Sequence, residues 1–207
     1  MNIYDLSLYI IQNFSQSGKI THLKLQKLLF YVKAWTLVEG SRLIVEPFYK
    51  WEYGPVNKEI WQQYKHYKSE FIFPDTNKFL EPSPREKKLI DFIVENYIEF
   101  HPYTLSAMTH SESPWKDTPR NQLIPDELIK EYYSKFLFAK NFPIEENKPF
   151  YPVMSDMEYA FIFDMAESDA LNSMVFPSYK IYKEWKREAE KTFQKRKKYW
   201  LKKLAKI

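Results

Sequence analysis

Residues Ile20 to Trp35 read Ile-Thr-His-Leu-Lys-Leu-Gln-Lys-Leu-Leu-Phe-Tyr-Val-Lys-Ala-Trp, and beyond Glu39-Gly40 comes Phe48-Tyr-Lys-Trp-Glu-Tyr-Gly-Pro-Val-Asn-Lys-Glu-Ile-Trp61. Thr21 offers its hydroxyl to the free amides of a first helical turn, and Gly40 suits a left-handed C-cap, so a helix is predicted over Thr21 to Val38. At about 100° per residue its apolar positions divide between two faces. Leu25, Leu28, Leu29, Val32 and Trp35 form one; Leu23, Phe30, Ala34 and Leu37 form the other. Gln26 and Lys33 fill one narrow seam between them, and Lys24, Lys27 and Tyr31 the second. A surface helix carries one apolar stripe, so a helix with two is packed from both sides. This is the expected central helix.

After Gly40 the period changes. Leu43, Ile44 and Val45, then Phe48, Tyr49, Trp51 and Tyr53, are strand formers interrupted by Pro47, which cannot donate to a ladder. A small two-stranded arm is predicted. Gly54-Pro55 reads as a corner: Gly tolerates positive φ, and Pro is preset for a first helical turn. Val56, Ile60 and Tyr64 follow at helical spacing.

Working outward, Ile3 to Phe14 reads as a helix with Leu6, Tyr9, Ile10 and Phe14 inward. Ser83 with Glu86 is a capping-box pattern opening a helix to Phe100, with Leu89, Ile90, Ile93, Val94, Tyr97 and Ile98 inward. A shorter helix spans Tyr103 to His110. Ile124-Pro-Asp opens another, with Leu128, Tyr132 or Tyr133, and Phe136 inward. Three prolines within Asn141 to Pro152 mark the expected boundary between a domain over 1–140 and an extension over 141–207. Ser155 to Ser173 reads as a helix, with Phe161-Ile-Phe163 equally compatible with a strand. A long helix follows from Pro177 to about Ala205, with Ile181, Trp185, Ala189 and Phe193 on one face. The fold class is mainly α (α+β): a helical domain around a buried helix, a β-hairpin arm and a basic C-terminal helix.

Composition narrows the function. Of 207 residues, 44% are hydrophobic and 18% aromatic, enough for a real core. Three glycines argue against a Gly-rich nucleotide-binding loop, and the lack of cysteine removes disulfides, thiolate metal sites and thiol nucleophiles. No basic leader or long apolar run occurs, which sets the expectation of a cytoplasmic protein with no membrane partner. The net charge of +4 is uneven: Lys180 to Ile207 holds twelve Lys/Arg and three Glu, a net of +9, leaving −5 elsewhere.

The four histidines, His22, His66, His101 and His110, share no metal-ligand spacing, so no metal is expected, and no cofactor. Ser106, His110, Ser111 and Asp117 resemble hydrolase parts superficially. No nucleophile elbow accompanies them, and Thr109, Ser111 and Ser113 read as helix-end caps ahead of a Pro114-Trp115 anchor. No catalytic constellation is read from the chain. Candidate binding residues are Lys27 and Tyr31 in their seam, the aromatics Trp51, Tyr53 and Trp61, and Lys195, Arg196 and Tyr199 of the basic helix. Each has a plainer reading: stems covering a core edge, core filling, or a solvated helix face. Trp35, Gly54, Pro55, Pro114 and Trp115 read as architectural.

Three motifs in order carry a family resemblance: Leu25-Gln-Lys-Leu-Leu-Phe-Tyr31 with Trp35, Trp51-x-Tyr-Gly-Pro-Val56, and Leu105-x-x-x-Thr-His-x-x-x-Pro-Trp115. They resemble the Panacea, or SocA-like antitoxin, domain over about the first 140 residues. The resemblance implies an antitoxin of a bacterial or phage toxin–antitoxin pair. Its partner would be a cognate protein toxin encoded beside it, with a protease or chaperone as a further partner where the antitoxin acts as an adaptor. A nucleic-acid-binding regulator acting through the basic helix is the alternative.

Overall fold

A computed structural model describes residues 1–74, 79–153 and 175–204, with the backbone alone at 194 and 196–204. The elements are α1 (Ile3–Phe14), α2 (His22–Glu39), β1 (Tyr49–Trp51), β2 (Gly54–Val56), α3 (Lys58–Tyr64), α4 (Pro84–Tyr97), α5 (Pro102–Ser111), α6 (Ser113–Lys116), α7 (Asp126–Tyr133) and α8 (Tyr179–Leu204). The protein is mainly helical with a two-stranded antiparallel hairpin.

The helix boundaries follow from local caps. Asn2 accepts from the Asp5 amide, Thr21 from Lys24, and Asn57 from Ile60, each satisfying a first-turn donor. Ser83 and Glu86 form the expected capping box, and Gly40 closes α2 at φ 98°. The helix from Ser83 stops at Tyr97 rather than Phe100.

α2 is central, touching α1, α3, α4, α5, α7 and β2. Its apolar faces are covered as expected, and its polar seams are covered as well: Lys24, Gln26, Lys27, Tyr31 and Lys33 are all buried. Burial on every side replaces the expected two. Around α2 lies an aromatic core in which Tyr31 stacks on Tyr97 at 4.0 Å and Trp35 meets Phe138 at 4.6 Å. The Trp35 indole donates to the Tyr97 hydroxyl at 2.8 Å, which satisfies its one polar atom.

The aromatic core continues across residues 140 and 141. The Asn141 side-chain amide donates to the Tyr151 carbonyl at 2.7 Å and accepts from its N–H at 2.9 Å, and Phe150 exchanges 2.8 and 2.9 Å backbone bonds with Phe176. Tyr179 of α8 then meets both Phe92 and Phe150 at 4.8 Å.

Three expectations need correction. Leu43 to Val45 forms no strand; the hairpin pairs Tyr49 with Val56, Lys50 with Pro55 and Trp51 with Gly54. Gly54 has the required positive φ of 99°, but Pro55 lies in β2 and not in a helical turn, because Asn57 caps α3 two residues later. On α7 the buried residues are Ile129 and Tyr133, whereas Phe136 lies past the helix end and is exposed. The expected element over Ser155 to Ser173 lies outside the described residues.

Candidate partner-binding face on a clamped hairpin

Residues 43–57 contain only three-residue strands, so few of their backbone groups find ladder partners. Buried backbone carbonyls need donors from elsewhere. The polar side chains of α2 supply them. Lys33 Nζ donates to the carbonyls of Ile44 at 3.2 Å and Glu46 at 3.1 Å. Lys27 Nζ donates to the Pro55 carbonyl at 2.9 Å. The Gln26 amide both donates to the Asn57 carbonyl at 3.1 Å and accepts from its N–H at 2.8 Å. From the far side, Ser106 donates to the Tyr53 carbonyl and the Trp115 indole to that of Trp51, both at 3.0 Å. β1 is also held along its outer edge, where Lys50 exchanges 2.9 and 2.8 Å backbone bonds with Gln122 and Asn121. The hairpin is clamped on both sides.

Beneath it lies a sealed polar network. Lys27 and Tyr31 are each 0% exposed, and Glu112, at the α5–α6 junction, is also buried. Tyr31 donates to Glu112 Oε1 at 3.0 Å, and Tyr133 of α7 donates to Oε2. Burial pushes the Lys27 ammonium down to about 7, with the Glu112 charge pulling the other way. Burial pushes the Glu112 carboxyl up to about 7, opposed first by the hydrogen bonds from Tyr133 and Tyr31 and then by Lys27. The Tyr31 and Tyr133 hydroxyls are held well above their ordinary range, first by burial and then by the Glu112 charge.

Aromatic and cationic side chains surround the hairpin on both of its sides, since successive residues of β1 point in opposite directions. Tyr53, at the turn, is 61% exposed and Leu123 beside β1 is 46% exposed. Half-buried Trp51 and Trp61 meet edge to face at 5.3 Å. Lysine ammonium groups sit over three rings: Lys58 over Tyr49 at 3.7 Å, Lys50 over Trp115 at 4.4 Å and Lys65 over Trp61 at 4.8 Å. His110 stacks on Trp115 at 4.1 Å. Its pKa is lowered by burial and by Lys27, against a hydrogen bond to the Glu52 backbone. Rigid aromatics with polar surroundings are the usual anchors of protein interfaces.

The structure brings Trp51 and Trp61 into contact, leaves Tyr53 exposed at the turn that follows β1, and separates the remaining candidates from them. Lys27 and Tyr31 are corrected as surface contacts: α5 and α7 and the hairpin close over their seam, so neither is accessible. Gly54, Pro55 and Pro114 are buried in the support, and half-buried Trp115 joins β1 to α6. Lys195 is exposed on α8, while the side chains of Arg196 and Tyr199 lie outside the described residues. Glu112 was not singled out from sequence. The signal for it was indirect: a lysine inside an apolar helix requires a buried counter-charge.

The result is a helical body that displays a preformed hairpin. Among the described residues there is no group of three or more His, Asp or Glu able to hold a metal, and no helix long and apolar enough to cross a membrane. Residues 25–116 match the family described as antitoxin SocA-like, Panacea domain. The match runs from α2 through α6 and so includes the clamp, Glu112 and the hairpin, but not α8. No curated protein and no solved structure matches the chain.

Proposed function

We propose that the chain is an antitoxin that neutralises a cognate protein toxin by direct binding, with the hairpin face as the contact. One observation supports this reading: Trp51 and Trp61 pack on each other and Tyr53 stands exposed at the turn that follows β1, on a fixed support inside the residues that match the antitoxin domain. Preorganisation spares the interface the entropy of ordering a loop on binding. Neutralisation then consists of covering the toxin's active site or substrate path, with no chemistry by this chain. Co-expression with the product of the adjoining reading frame tests the proposal. Restored growth and a co-purifying complex are expected; a neighbour that is harmless alone, or that stays toxic and unbound, sinks it. Delivery of the bound toxin to a protease is an extension of the same binding step, and a shortened toxin half-life in cells would support it.

The second reading is a nucleic-acid-binding regulator acting through α8, favoured by the twelve Lys/Arg from residue 180 onward. Several of these are already engaged: Lys183 with Glu95 at 3.6 Å, Lys186 with Glu99 at 2.7 Å and Lys191 with Glu188 at 2.6 Å. That helix also lies outside the matched residues. DNA affinity falling steeply with salt would favour it.

A further inference from the structure

A buried ammonium is costly: taking the charge out of water demands several kcal/mol of compensation, which a well-packed apolar side chain in the same place would not need. At Lys27 the compensation is concentrated on two groups. Its Nζ donates to the Pro55 carbonyl at 2.9 Å, and the nearby charge of Glu112 favours its protonated form without contacting it. Pro55 is the middle residue of β2, paired with Lys50. The fit extends to Gly54: a Cβ there would lie 2.7 Å from Lys27 Nζ and 2.6 Å from Thr109 Oγ1, so the missing side chain is the space that Lys27 and Thr109 occupy. Glu112 in turn accepts from Tyr31 of α2 and Tyr133 of α7. One carboxylate therefore ties α2 and α7 to the α5–α6 junction, near enough to Lys27 for its charge to be felt there.

We propose that Lys27 is the positioning residue of the binding face: it fixes the hairpin to α2 from inside the core, and Glu112 makes that hold depend on the packing of α5, α6 and α7. The significance of the hairpin's pose rests on the reading of its outer face as the toxin contact; the lock itself does not. Losing the Lys27 donor loosens β2 before it loosens the helices. The charged and titratable groups around Lys27 are Glu112 at the α5–α6 junction, His110 on α5, His22 on α2, and the hydroxyls of Tyr31 and Tyr133 on Glu112. The two histidines titrate below their ordinary range, first because of burial and then because of Lys27, so Lys27 and Glu112 govern the response at neutral pH.

Hydrogen exchange on the full chain, with no partner present, tests the lock. In K27M, exchange over residues 47–57 is expected to speed up about tenfold or more while α4 keeps its protection, since local opening reports the contacts that close it. Unchanged hairpin protection overturns the proposal, and so does an equal loss everywhere, which would make Lys27 merely a core charge. Should K27M not fold, the wild-type protein gives the answer by NMR. The hairpin amides of Trp51 and Tyr53 are expected to shift with the same midpoint as the Lys27 side chain; resonances that stay put through that titration overturn the proposal. Neither readout involves the toxin. A locked hairpin whose Y53A variant still neutralised toxin would therefore remove the binding-site reading and leave the lock intact.

Discussion

The hairpin and the C-terminal helix are both attached to the same body, and they are attached by opposite physics. The hairpin is held from beneath by buried polar side chains of α2, where water is excluded and every hydrogen bond is costly to lose. α8 is held by aromatic packing of Tyr179 and Tyr182 on Phe150 and by ion pairs at the surface, Lys183 with Glu95 and Lys186 with Glu99. On the other side of these anchors and farther along α8, Ile181, Trp185 and Phe193 are largely exposed. Buried attachment fixes a pose; surface attachment tolerates change. A face that must meet a partner in one geometry belongs on the first kind of support, which is why the hairpin is the stronger candidate for the toxin contact.

The difference can be broken most forcefully at Glu112. E112A leaves the Lys27 ammonium without its counter-charge and two buried tyrosine hydroxyls without an acceptor, and should cost ~3–5 kcal/mol in urea denaturation. The pair also gives a signed pH dependence. Glu112 titrates near 7 instead of 4.5, so its contribution is fully present below about 4.5 and is lost as pH rises through about 7. Lys27 titrates near 7 instead of 10.5, so its contribution is present above about 10.5 and is lost as pH falls through about 7. Together they predict a dip in stability near neutrality. K27M should remove the rise on the alkaline side, as measured by denaturation midpoints across pH.

Two glycines with nearly equal φ provide the next test. Gly54 at 99° faces Lys27 and Thr109 at contact distance, whereas Gly40 at 98° has open space around it. G40A should cost only the ~1–2 kcal/mol of a left-handed non-Gly residue. G54A should cost more, because a steric clash adds to the same backbone strain, and thermal melts of the pair separate the two contributions. Equal losses would mean that the hairpin can shift away from α2.

Much of this architecture was legible from local sequence. Thr21, Gly40, Ser83 and Glu86 act within a turn of themselves, so their caps could be read directly, and the two apolar faces of α2 identified it as central. What escaped was the identity of the partners in its seams. Gln26, Lys27 and Lys33 meet carbonyls of Asn57, Pro55, Ile44 and Glu46, and Lys33 also pairs with Asp126 at 2.9 Å; these groups reach α2 only after an irregular path whose course no periodicity encodes. For the same reason Pro55 looked like the start of a helix: its fixed φ serves a strand equally well, and the decision lay with Asn57 as cap. Trp51 and Tyr53 were expected on a short arm, and the hairpin carries the first in β1 and the second at its turn. Lys27 and Tyr31 were placed at an accessible edge because sequence does not show which elements close over a seam.

The smallest effects are expected on α8. Removing Lys183 and Lys186 together should cost no more than ~1 kcal/mol per ion pair, and the loss should vanish in high salt, because both pairs are exposed and screened. A loss that persists at high salt would mean that α8 is held as firmly as the hairpin and would blur the distinction between them.

The most direct measurement compares two full-length variants against the product of the adjoining reading frame, by growth rescue and by a binding isotherm. Y53A with W61A strips the hairpin face; K195E, R196E and K198E together reverse charge on α8. Contact through the hairpin predicts that the first variant loses about tenfold or more in affinity and fails to rescue, since exposed aromatic anchors dominate such interfaces, while the second still rescues. Rescue by the aromatic variant and failure of the charge-reversed one would contradict it and move the contact to the basic helix.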